Sequence, residues 1–257
     1  MDRGFGRVCA NGFPVRQSLA VRPRIPGSPT SHPSHLGDRC FAPSSALGCI
    51  RPPWRGGAIR PVAVRTTLAA AVFDFDGTLF DATGAIVHSF NAALRRHARA
   101  ELPADAILRK IGRPLYEMFP ALVPDIGGDE VDGYIDAYRE AFWPVCVSLT
   151  RPLPALDTTL AFLRNRGVHM AIATNRTARG ARAILDGFGF SSDFETIIAL
   201  EDVEQVKPHP EPVQRACAAL GVEPRQTVMI GDTPDDIVSG RRAGARTVGV
   251  LTGVHSR

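Results

Sequence analysis

LAAAVFDFDGTLF, residues 68–80, passes from an unbroken apolar run to two carboxylates in a single step. A short continuous apolar run is what a strand buried on both faces requires, which places 68–73 inside a parallel sheet. Asp74 and Asp76 follow at i and i+2, so both carboxylates sit at the end of that strand, where little water reaches. Two bare anions there would repel. The placement makes sense if a divalent cation neutralises one while the other can hold a proton. Gly77 then supplies a permissive turn, and Gly77 and Thr78 together offer a free backbone amide and a hydroxyl to a phosphate.

Outward from this stretch, further strands are predicted at 168–173, 195–199, 227–230 and 246–250, alternating with helices at 157–166, 177–188, 209–220 and 235–243. That alternation specifies an α/β fold, a doubly wound parallel sheet whose ligand site lies beyond the carboxyl ends of its strands. Residues 67–82 and 153–257 are assigned to this Rossmann-like core. Residues 83–152 break the rhythm and read as an inserted helical domain, with helices at 84–99, 104–111 and 129–143. The first has Ile86, Phe90, Ala93, Leu94 and His97 on one face, and the last has Val131, Ile135, Tyr138 and Phe142, so each can bury a stripe.

With 44% hydrophobic and 22% charged residues among 257, the chain can bury a full core. Residues 1–66 differ in texture. They hold 9 Pro, 8 Gly and 6 Ser without a sustained period, and ten Arg against two Asp. We read them as a disordered basic extension: a tail or an over-long start, or an Arg-rich, acid-poor transit peptide. Their charge of +8 leaves −4 of the total +4 for the rest, so no nucleic-acid partner is expected for the folded body. No run of eighteen apolar residues and no secretory signal pattern occurs, so no membrane association is expected. A cytoplasmic location follows, or an organelle if the extension is a transit peptide. The five cysteines show no metal-ligand spacing and read as reduced.

DFDGT after an apolar strand resembles the first motif of the haloacid dehalogenase superfamily, whose leading Asp accepts a phosphoryl group. The resemblance spans about residues 68–254 and implies three further motifs. Thr174 in AIATN matches the second, a hydroxyl ending a strand, with Asn175 beside it; alone, Thr174 would read as a helix cap. Lys207 in VKPHPEP matches the third, and only two of the thirty basic residues are Lys. Asp232 and Asp236 in GDTPDD match the fourth, Asp232 as a magnesium ligand and Asp236 near it, with Asp235 a weaker candidate; taken alone, Thr233, Pro234 and Asp236 would make a good helix start.

The resemblance implies an enzyme that holds Mg²⁺ with Asp74, the Asp76 carbonyl and Asp232. Asp74 attacks phosphorus, Asp76 serves as acid and base, and Lys207 and Thr174 hold the phosphate oxygens. Halide chemistry is disfavoured, because the dehalogenase members lack the second Asp. A receiver domain would lack both the helical insert and the DxDGT turn, and a binding-only relative would be expected to have lost one of the four groups. The insert position resembles the helical-cap subfamily that contains phosphoglycolate phosphatases, implying a small phosphorylated metabolite as substrate. Stretches similar to 200–213 occur in inorganic pyrophosphatases of that subfamily, so either substrate fits. The segment IGRPLYEMF, 111–119, looks like the cap's substrate loop, with Arg113 as a candidate specificity residue. The family usually continues past GVLTG with a further strand and helix, so either the sequence is a fragment or the sheet has an uncovered edge. Nothing in the sequence fixes an oligomeric state.

Overall fold

The computed structural model describes residues 67–253, so the reading of residues 1–66 lies outside the described residues. Strand β1 (Ala70–Phe73) leads through a tight turn to the short β2 (Phe80–Asp81). Four helices follow: α1 (Thr83–Arg96), α2 (Ala104–Leu108), α3 (Leu115–Leu122) and α4 (Val131–Phe142). The chain returns through β3 (Arg151–Pro152) and then alternates: α5 (Leu156–Arg164), β4 (His169–Ala173), α6 (Ala178–Phe188) and β5 (Thr196–Ile198). It ends with α7 (Glu211–Leu220), β6 (Thr227–Gly231), α8 (Pro234–Ala243) and β7 (Arg246–Gly249).

Five strands form one parallel sheet in the order β5-β4-β1-β6-β7, with the fully buried AAVF strand at its centre. Alternate side chains divide the core. Val72, Ala171 and Met229 meet α7 and α8 through Val213, Ala216 and Ala243. Ala71, Phe73, Met170 and Ile172 meet α5 and α6 through Leu160, Ile184 and Leu185. Helices thus cover both faces, as the unbroken apolar strands require. At one edge, β7 pairs only with β6 among the described residues and leaves Val248 exposed.

The cap buries the two predicted stripes. Ile86, Phe90, Ala93 and Leu94 of α1, and Val131, Ile135, Tyr138 and Phe142 of α4, are all in the core, and His97 stacks on Tyr134 with ring centroids 3.8 Å apart. The segment read as a loop at 111–119 is half helix, since α3 begins at Leu115. Pro114, with φ −61, sets the entry to the first turn, and Phe119 stacks on Phe90 at 4.2 Å. That tertiary contact is what an isolated eight-residue segment lacks in the sequence. Where the cap joins the sheet, β2 and β3 pair as a two-stranded antiparallel ribbon, Phe80 with Pro152 and Asp81 with Arg151.

Candidate active site

Register places the functional side chains. Phe73 lies beside Ile172 and Ile230, so β1, β4 and β6 end level and release Asp74, Thr174 and Asp232 along one edge of the sheet. Asp74, Asp76, Thr174, Asn175 and Arg113 line a single cavity of about 120 Å³ between sheet and cap. Lys207, Asp232 and Asp236 are not among its lining residues, and Lys207 reaches it through Asp74. The Lys207 ammonium donates to Asp74 Oδ1 at 2.5 Å and to Asp236 Oδ1 at 2.7 Å. The second Asp74 oxygen makes no hydrogen bond among the described residues.

Asp236 is wholly committed. Its other oxygen accepts from the Thr233 N–H at 3.0 Å and the Thr233 hydroxyl at 2.7 Å, closing the capping box that starts α8. The carboxylate that the helix-start reading of GDTPDD assigns to the cap is thus also the partner of Lys207. Asp74, Asp232 and Asp236 can each offer an oxygen within 4.8 Å of the others, while Asp235 lies outside that cluster. Burial pushes the Asp74 carboxyl well above the usual range, with Asp236 and Asp232 adding to the rise and Lys207 opposing it. Asp232 is raised by burial and by Asp236. For Lys207, burial disfavours the charge, but Asp236 and Asp74 outweigh it and hold the ammonium above its ordinary value. Three carboxylates facing one ammonium make an all-oxygen donor set that suits a hard divalent cation.

The family model described as haloacid dehalogenase-like hydrolase matches residues 71–250. The chain belongs to that family. Among relatives of this hydrolase, Pyrophosphatase PpaX of Bacillus pumilus is 36% identical over 185 residues, covering 72% of this chain and 84% of the relative. A phosphoglycolate phosphatase of Aquifex aeolicus is 30% identical over 182 residues, covering 71% and 84%. A predicted phosphoglycolate phosphatase from Haemophilus somnus shares the fold with a TM-score of 0.70 at 24% identity, covering 74% of this chain and 88% of that one.

Other residues of the hydrolase stand differently from expectation. Gly77, with φ +86, could be no other residue without strain, and a Cβ there would lie 2.5 Å from Asp232 Oδ2. Its N–H is not open to the cavity, because it donates to Phe80 O at 2.8 Å to close the turn. The Thr78 hydroxyl likewise donates to Asp232 Oδ1 at 3.0 Å. A six-residue turn consumes its own polar groups, so these two shape the site and position Asp232. Asn175, read as a substrate contact, gives its amide to Gly112 O at 2.8 Å and takes the Lys207 N–H at 3.2 Å, tying the cap segment and Lys207 together.

Two features escaped the sequence reading. Arg176 donates from Nε and Nη2 to the two oxygens of Asp76 at 3.0 and 2.7 Å. A signal existed: a guanidinium beside the positive N-terminal end of α6 is misplaced unless a carboxylate compensates it. The second is the strap after β7, where the Thr252 hydroxyl donates to Gly77 O at 2.6 Å and any Cβ on Gly253 would overlap Asp232 Oδ2. No helix among the described residues is long and apolar enough to cross a membrane.

Proposed function

We propose that this hydrolase is a Mg²⁺-dependent phosphatase that acts on a small phosphomonoester, phosphoglycolate phosphatase-like, through a phosphoryl group carried on Asp74. The observation that carries this reading is Asp74 itself: one oxygen fixed by Lys207, the other free at the cavity, with the Thr174 hydroxyl on the same sheet edge. Mg²⁺ would be held by Asp74 and Asp232 with the Asp76 carbonyl and, when bound, neutralises charge on the carboxylates and on the phosphate. Asp236, engaged at both oxygens, orients Lys207 more readily than it ligates a cation.

The free Asp74 oxygen attacks phosphorus, an O–P bond forms, and the bond to the leaving oxygen breaks as Asp76 hands that oxygen a proton. Asp76 then takes a proton from the water that hydrolyses the acyl phosphate, restoring both carboxyl groups. Lys207 and Thr174 hold the equatorial oxygens, where charge stabilisation contributes most to phosphoryl transfer. The cap closes the other side of the cavity and excludes water. We place the core–cap junctions at 82/83 and 152/153, because the β2–β3 ribbon is where both connections run side by side.

Inorganic pyrophosphate is the second reading, favoured by the likeness to the Bacillus pumilus pyrophosphatase. A screen of the full chain with Mg²⁺ over phosphoglycolate, pyrophosphate and sugar phosphates separates the two. Asp74→Asn should abolish turnover and covalent labelling by phosphate while the protein stays folded. A labelled, folded Asp74→Asn protein would remove Asp74 from the nucleophile's role.

A further inference from the structure

The Arg176 side chain is only 10% exposed and lies at the N-terminal end of α6, facing the cavity. Its guanidinium is 5.5 Å from the Phe75 ring and 5.1 Å from the Phe142 ring, one in the core and one in the cap. The rings limit the tilt of its plane. Nε and Nη2 grip Asp76, and Nη1 makes no hydrogen bond among the described residues. A guanidinium has five N–H donors, and Asp76 uses two of them, so the end-on edge formed by Nη1 and the second Nη2 hydrogen remains available. Among the described residues only the Thr150 hydroxyl is a buried side-chain atom without a hydrogen-bond partner, so this free edge is not sealed off but faces the cavity, where it can take an anion bidentately.

Besides Asp76, Asp74 is the one other carboxylate among the described residues that line the cavity, and its charge also favours the Arg176 cation. Its cap wall includes Ile86, Leu115, Met118 and Trp143, and among the described residues its other cationic side chains are Arg113 and Arg139. The geometry points to Arg176 as the receptor for a second anionic group on the leaving side of the substrate. It therefore selects phosphomonoesters bearing a carboxylate or a further phosphate over those whose leaving group is neutral. This specificity role rests on the phosphatase reading of the site and goes beyond it by naming the substrate class and the residue that chooses it.

The test compares the full chain with Arg176→Gln and Arg176→Lys on matched substrates: phosphoglycolate, 2-hydroxyethyl phosphate, which replaces the carboxylate by a neutral alcohol, and pyrophosphate. The parent should prefer an anionic leaving group by about thirtyfold in kcat/KM, the scale of a charge-assisted pair. Arg176→Gln should collapse the preference towards unity, chiefly through KM, and Arg176→Lys should restore part of it. Phosphoglycolate and pyrophosphate separate a carboxylate from a phosphate as the anion. Equal losses on neutral and anionic substrates would make Arg176 a positioner of Asp76 alone and overturn the inference. Calorimetric binding of phosphonoacetate against ethylphosphonate gives a readout independent of turnover. Tighter binding of phosphonoacetate to the parent but not to Arg176→Gln sustains the inference even if no ester is hydrolysed, in which case the phosphatase reading falls by itself. Equal binding of the two phosphonates to the parent overturns it.

Discussion

Lys207 and Asp236 form a buried ion pair, Nζ to Oδ1 at 2.7 Å, across 29 residues of chain, and the same ammonium reaches Asp74 at 2.5 Å. The carboxylate that starts α8 therefore also aims the cation at Asp74. Asp236→Ala removes the partner of a buried charge together with a helix cap. A loss of about 3–5 kcal/mol in unfolding free energy by denaturant titration is expected, and a loss under about 1 kcal/mol would show that Asp236 is structurally dispensable.

Lys207→Arg keeps the charge but replaces a compact ammonium by a planar fork in a space closed by two carboxylates. A drop of at least about tenfold in kcat/KM is expected with the fold retained. Kinetics equal to the parent would remove Lys207 from the phosphate-binding role.

Asp74, Asp232 and Asp236 crowd within 4.8 Å. Mg²⁺ should raise the melting temperature of the parent in chelator-treated buffer, and a concentration one hundred times its Kd is worth about 2.7 kcal/mol. Asp232→Asn should lose most of that increment. An undiminished shift would place the cation elsewhere.

Gly253 touches Asp232 so closely that any side chain displaces the carboxylate. Gly253→Ala should raise the Mg²⁺ concentration needed for half-maximal turnover by about tenfold, with little change in melting temperature. Unchanged metal dependence would mean that the strap is not part of the site.

Asp81 accepts from the Thr83 hydroxyl at 2.6 Å and the Thr83 N–H at 3.1 Å at the start of α1, and pairs with Arg151 across the β2–β3 ribbon. Burial alone would raise its carboxyl, but the Thr83 and Arg151 bonds outweigh that and hold it below the usual carboxylate range. Its contribution is therefore present above the unfolded value of about 3.9 and is lost as pH falls through the lower folded value. Asp81→Asn should cost about 1 kcal/mol near neutral pH, and the gap to the parent should close in acid. A gap independent of pH would show that shape, not charge, holds the ribbon.

The core was legible because its signals are local. Each buried strand is a short apolar run, each is followed by a periodic helix, and Asp74, Thr174, Lys207 and Asp232 sit at the ends or in the loops that such a sheet aligns. The stripes of α1 and α4 were legible for the same reason, since residues three and four apart share a helix face whatever lies opposite. Helix α3 was not, because eight residues containing Pro120 hold a helix only when Met118 and Phe119 have something to pack against.

The sequence by itself determined the sheet, the inserted cap and the set of groups that meet at the strand ends. Only the tertiary structure decided how those groups are shared: that Asp236 serves Lys207 and Thr233 at once, that Gly77 and Thr78 spend their donors on Phe80 and Asp232, and that Arg176 grips Asp76. Motif spacing reports which side chains leave a strand end. Hydrogen-bond allegiance depends on distances of tenths of an ångström between segments that lie 29 residues apart for Lys207 and Asp236, 100 for Arg176 and Asp76 and 154 for Thr78 and Asp232, which no local pattern encodes.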